Sequence, residues 1–193
     1  MIDPLYLFVF AGLFTPGPNV ILLTASGARF GMARTLPHVA GVALGVGITA
    51  GLTGAGIGAV LLGRPALEWG LKLAACAWIL WMAWGLARRA RRPRVEGRDR
   101  PFTLIEAVLF QWVNPKVWAV ALAAASGYAA GLPPLAEGAR LGAAFAGINL
   151  GVCLFWTGAG HLLTALLSSD AAWAIFLRIM AAALALSALA VFL

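Results

Sequence analysis

Two short stretches hold most of the residues able to do chemistry. One reads Thr15-Pro16-Gly17-Pro18-Asn19, and the other Gln111-Trp112-Val113-Asn114-Pro115-Lys116. Each interrupts a long apolar run. Proline has no N–H and clashes with the carbonyl four residues back. In otherwise helical segments, Pro16 would free the carbonyl of Gly12, Pro18 that of Phe14, and Pro115 that of Gln111. Lipid cannot satisfy such groups, so they must face protein or a polar cavity. A new helix begins beyond each break, and its first amides favour an anion. Thr15, Asn19, Gln111 and Asn114 add neutral donors and acceptors, and Lys116 adds a positive charge. Together the groups suit a zwitterion. Lys116 and helix-start amides would hold a carboxylate, and freed carbonyls an ammonium group. The candidate substrate-binding residues are therefore Thr15, Pro16, Gly17, Pro18, Asn19, Gln111, Asn114, Pro115 and Lys116.

Catalytic chemistry has little to work with. Asp3, Glu106, His38 and His161 are scattered along the chain. No G-x-x-x-x-G-K-[ST] phosphate loop occurs, nor H-E-x-x-H, nor G-x-S-x-G. Cys76 and Cys153 lie within apolar runs and read as small packing residues. The expectation is a protein that is not an enzyme, with no cofactor and no metal site. Glu106 is the candidate to carry a coupling proton, or else an interfacial residue beside the arginine loop; Arg178 either pairs with it or snorkels. Asp3 reads as a solvated residue.

The elements that must position these groups belong to a membrane. Of 193 residues, 62% are hydrophobic and 11% charged, and mean hydropathy is +0.92. Soluble domains carry about 25% charged residues. The length leaves room for about six spans of 20 to 25 residues. Span one runs from about Pro4 to Ala28, and span two lies within the charge-free stretch Thr35–Gly63. Span three covers about Ala66–Ala87, and span four about Phe102–Tyr128. Span five occupies Leu141–Ser169, which is free of Asp, Glu, Lys and Arg and holds His161. Span six is capped by Ser168-Ser169-Asp170 and runs to Leu193. The Met-Ile-Asp-Pro start lacks the basic flank of a signal peptide, so the first span is expected to be retained.

Seven of the fourteen basic residues crowd between Arg88 and Arg100, and that segment holds +5 of the net +7. In so apolar a chain this loop reads as cytoplasmic by the positive-inside rule, not as a nucleic-acid patch. Both termini then lie outside.

Pro16 lies twelve residues after Pro4, and Pro115 thirteen after Phe102, so spans one and four break at about the same depth. Span two carries glycine pairs at 41/45, 47/51 and 54/58, and Gly147-Ile-Asn-Leu-Gly151 in span five resembles Gly41-Val-Ala-Leu-Gly45. Such small faces let helices approach closely in lipid. The chain thus reads as two three-span halves, about 1–87 and 102–193, joined by loop 88–101. An odd number of spans per half makes this an inverted repeat, as in many secondary transporters. The fold class is an all-α membrane protein of six helices in one domain, with helices one and four broken at proline motifs. Lys116 then falls near mid-bilayer, where a charge marks a functional site.

At these residues the chain resembles the LysE/RhtB amino-acid exporter family. The resemblance rests on "TPGPN" in span one, the glycine-rich second span and "NPK" in span four. It departs at Ala75 and Trp78, where the family often has glycine and then tyrosine. It implies proton-coupled efflux of amino acids or related small molecules across the bacterial inner membrane. By that likeness the partners are the lipid bilayer, a small amino-acid-like substrate and protons, with a homodimer compatible with the glycine faces. The other readings are a non-catalytic membrane subunit or a channel for small solutes.

Overall fold

The first helix starts where Asp3 caps it. Asp3 Oδ1 accepts the Leu5 N–H at 2.9 Å, and Pro4 occupies the first helical position, where its missing N–H costs nothing. A computed structural model describes residues 3–15, 17–56, 65–88, 100–166 and 169–189. Helix α1 spans Pro4–Phe14 and stops at Thr15, which is extended, as a residue preceding proline prefers. Helix α2, Pro18–Phe30, opens on the second proline. A single residue, Gly31 at φ 80°, turns it into α3, Met32–Gly54. That left-handed conformation suits glycine. Helix α4 covers Pro65–Arg88.

The second half opens with a capping box at Thr103 and Glu106, followed by α5, Leu104–Phe110. A 3₁₀ turn, Gln111–Val113, and extended Asn114 carry the chain into α6, Pro115–Gly127. Helix α7, Pro134–Leu166, has 33 residues, about 50 Å at 1.5 Å per residue. Helix α8, Asp170–Leu189, is capped by Ser169, whose Oγ accepts the Ala172 N–H at 3.1 Å. Every regular element among the described residues is helical.

Helices α3 and α7 are each long and apolar enough to cross a membrane. The pairs α1–α2 and α5–α6 meet the same test when each is taken as one broken span, bent by 61° and 68° respectively. The bends fall where the prolines predict. Two boundaries differ from the sequence expectation. α3 begins at Met32 and takes Pro37 into its second turn. α7 begins at Pro134, seven residues early, because Arg140 is neutralised within the helix by Glu137. The end expected for span two, and Arg89–Asp99 of the basic loop, lie outside the described residues.

The centre is the crossing of α3 with α7. A methyl on Gly47 would meet the Gly142 carbonyl at 3.0 Å, and one on Gly51 the Gly138 carbonyl at 3.2 Å. Close backbone approach of this kind is how helices bind each other where lipid removes the hydrophobic drive. Gly41 meets the Leu104 carbonyl of α5, and Gly45 meets Gln111. The counterpart expected at Gly147 and Gly151 is not there. Both are exposed, with open space beside them. The glycines of α7 that lie against neighbouring helices are Gly138, Gly142 and Gly160, on another face of the helix. Helix α4 packs on α8 through Ile79, Ala83 and Leu184.

Candidate functional site

The two breaks come together. Lys116, in the first turn of α6, reaches across to the end of α1. Its Nζ donates to the Thr15 carbonyl at 2.5 Å and to Thr15 Oγ1 at 2.8 Å. A cation there also faces the negative end of the α1 dipole. Gly17 makes the path possible, because a Cβ on it would lie 2.8 Å from Lys116 Cδ. Pro16 lies outside the described residues.

The carbonyls expected to be freed are largely satisfied within the breaks. The Gly12 carbonyl accepts the Thr15 hydroxyl at 3.0 Å. The Gln111 carbonyl accepts the Asn114 N–H at 3.3 Å, since the chain tightens into a 3₁₀ turn before Pro115. Asn19 and Gln111 trade hydrogen bonds across the breaks, and Gln111 Nε2 also donates to the Ala107 carbonyl at 2.8 Å. Gln111 is 0% exposed, with its side-chain amide fully engaged. It joins the two breaks and has no donor left for a ligand.

A narrow cavity lies between these pieces. Gly17 and Asn19 line it from the start of α2, and Asn114 and Lys116 from the start of α6. Two helix N-termini therefore open onto one space. The cavity measures about 10 Å³, room for about one water molecule. Its third wall is a stripe of α7: Asn149, Val152, Cys153 and Trp156. These positions recur at three- and four-residue spacing and so share one helix face. Asn149 is 2% exposed. Asn149 Nδ2, Trp156 Nε1 and Asn114 Oδ1 are buried without a hydrogen-bond partner. Phe14 packs against Trp156, their ring centroids 5.2 Å apart.

Sequence reasoning missed this wall. Its signal was Asn149, an amide inside a stretch free of charge. The same pentapeptide drew notice for its glycines, which touch nothing, while its asparagine faces the cavity. Cys153, read as packing, also lines it.

Glu106 lies elsewhere. It stands at the start of α5, where Arg100 grips both carboxylate oxygens at 2.6 and 2.7 Å. The same carboxylate accepts the Thr103 N–H at 2.8 Å. The partner is thus an arginine at the end of the basic loop, beside which the sequence put Glu106, and not Arg178, which is exposed on α8. The carboxylate raises the pKa of the Arg100 guanidinium above its ordinary value. Asp3, expected to be merely solvated, caps α1 and lies 3.6 Å from Arg140. His38 is buried beside the Phe102 ring, and His161 lies near Gly31; neither lines the cavity. No cluster of potential metal ligands occurs among the described residues.

Apolar helices broken at proline motifs, with residues of both breaks lining one cavity, suit a membrane protein that moves small solutes. The chain belongs to the LysE type translocator family, whose model matches residues 10–193. Members of that family are transporters and not enzymes. No curated protein and no solved structure matches the chain.

Proposed function

We propose that this protein is a secondary exporter of amino acids or closely related zwitterions, working by proton antiport in the bacterial inner membrane. One observation carries the reading: segments 99 residues apart in sequence, Pro16 to Pro115, bring their flanking residues to a single cavity. The substrate carboxylate would lie at the paired starts of α2 and α6, drawn by their dipoles and by Lys116. Lys116 is bonded to Thr15 in the present conformation. Loading would exchange that contact for the substrate, which couples binding to movement of α1 against α6. A cavity with room for about one water must widen first, as alternating access demands.

Six spans in two inverted halves, 1–87 and 102–193, with loop 88–101 cytoplasmic, complete the proposal. Pairing of α3 with α7, and of α4 with α8, is what a pseudo-twofold axis between such halves would produce. The test is counterflow of the twenty amino acids in proteoliposomes at two external pH values. Exchange of at least one amino acid, faster under an inward proton gradient, is expected. Absence of exchange for all twenty would overturn the proposal.

A further inference from the structure

We infer that His38 keeps the α3–α5 contact closed only while its ring is neutral, so that acid at the end of the bundle bearing the arginine loop parts the two helices. As regulation of transport, the inference rests on the exporter reading.

His38 stands in the second turn of α3 and is 2% exposed. Its ring lies against that of Phe102, centroids 5.0 Å apart. Phe102 leads from the arginine loop into α5. Both ring nitrogens of His38, Nδ1 and Nε2, are buried without a hydrogen-bond partner. A buried polar group in that state is costly.

Among the described residues, charged and titratable groups surround the ring without bonding to it. On α5 and its lead-in they are Glu106 and Arg100, which hold each other at 2.6 Å. The Glu106 carboxylate also accepts the Thr103 N–H, and it acts on the ring through its charge alone. Arg29 of α2 and Arg34 of α3 both lie over Phe30. On α7, His161 lies near Gly31, and Glu137 pairs with Arg140. Lys116 of α6 is bonded to Thr15. An imidazolium at His38 would therefore be desolvated with no acceptor, a cost that a carboxylate already paired with arginine does not offset. The cost vanishes once α5 moves off α3 and water reaches the ring. An imidazole in water takes its proton at a pKa of about 6.5. The closed contact is thus at full strength above that pH and weakens as pH falls below it.

The contact leads to the cavity. His38, Gly41, Val42 and Gly45 recur at three- and four-residue spacing and share one face of α3. A methyl on Gly41 would run into the Leu104 carbonyl, and one on Gly45 would lie 2.6 Å from Gln111 Cγ. Gln111 is bonded in turn to Asn19, which lines the cavity. Displacing α5 at His38 moves the second break with it.

The test reads exposure of that face. Val42→Cys, at a buried position, is introduced after Cys76 and Cys153 are replaced by alanine. Labelling by a membrane-impermeant maleimide is followed in inside-out vesicles and divided by that of Val95→Cys, to cancel the thiol's own pH dependence. Lowering the pH from about 7.5 to about 5.5 should raise the ratio about tenfold, the shift that a group of pKa about 6.5 gives an equilibrium that depends on its proton. His38→Phe keeps a ring against Phe102 and cannot titrate; His38→Gln stays polar and cannot titrate. Both should give a ratio independent of pH. A flat ratio with His38 in place, or an equal rise in either variant, would overturn the inference. Labelling needs no substrate, so failure of every amino acid to exchange would remove the exporter reading and leave the His38 result standing.

Discussion

Asn19 and Gln111 exchange hydrogen bonds across 92 positions of the chain: Asn19 Nδ2 donates to Gln111 Oε1 at 2.8 Å, and Gln111 Nε2 donates to Asn19 Oδ1 at 3.2 Å. Asn19 is the second residue of α2, and Gln111 opens the 3₁₀ turn before α6. The pair therefore fixes the relative position of the two breaks at the cavity. In a low-dielectric interior an amide in this position is costly unless fully bonded, and Gln111 meets that demand.

Asn19→Ala strands Gln111. Its Nε2 keeps the Ala107 carbonyl, but Oε1 retains only the longer bond from Asn114 at 3.4 Å. The expected loss is about 1–3 kcal/mol, typical of a buried group left without its partner. Thermal unfolding of the purified variant in detergent measures it. Unchanged stability would mean the pair is incidental.

Lys116 tests the bridge between the breaks. Lys116→Met keeps much of the stem that passes Gly17 and removes the ammonium. The variant should insert normally, because among the described residues that ammonium bonds only to Thr15. Exchange should fall by at least about tenfold, the scale of losing a hydrogen bond from a charged donor. Thr15→Val removes only the hydroxyl and should fall less, since the carbonyl contact survives. Wild-type exchange by Lys116→Met would remove Lys116 from the substrate path.

The breaks and their prolines are legible in the sequence, because backbone hydrogen bonding in lipid is a local and strict constraint. What was not legible depended on helix rotation. The residues that face the cavity from α7 are separated from its packing glycines by only a few positions, and sequence spacing alone does not say which face meets which neighbour. The fate of the freed carbonyls was hidden for a similar reason. Thr15 could bond either backward to Gly12 or outward to a ligand, and the local turn decides for Gly12.

Gly27 and Gly160 mark the tightest approach of α2 to α7. A methyl on Gly27 would run into the Thr157 carbonyl, and one on Gly160 into that of Thr24. Backbone cannot swing aside as a flexible side chain does. Gly27→Ala and Gly160→Ala should each destabilise by about 1–3 kcal/mol, the usual cost of overpacking. The double variant should cost less than the sum, because one separation of the helices relieves both clashes. Strict additivity in unfolding midpoints would argue that the two contacts are independent. Gly147→Ala and Gly151→Ala, with open space beside them, should be close to neutral.

Glu106 offers a choice between structure and coupling. Its carboxylate is shared between the Arg100 guanidinium and the Thr103 N–H, outside the cavity. Glutamine can serve the same capping-box position, so Glu106→Gln should keep α5 intact and lose only an exposed ion pair, a small contribution. Exchange and its dependence on external pH should match the wild type. Loss of the pH dependence with exchange retained would instead make Glu106 the proton carrier.

The sidedness of the chain is open to a direct chemical test. Asp3 and Arg140 lie 3.6 Å apart, so the start of α1 and the first turns of α7 share one side of the bundle. The arginine-rich loop follows α4, an odd number of spans after that start in the six-span reading. The loop and Asp3 must then be on opposite sides. The loop carries +5 of the net charge, and the positive-inside rule assigns it to the cytoplasm. Val95→Cys, introduced after Cys76 and Cys153 are replaced by alanine, should react with a membrane-impermeant maleimide in inside-out vesicles and not in intact cells. Asp3→Cys should give the reverse. Labelling of both from the same side would exclude an odd number of spans between them, and with it the inverted arrangement of the two breaks.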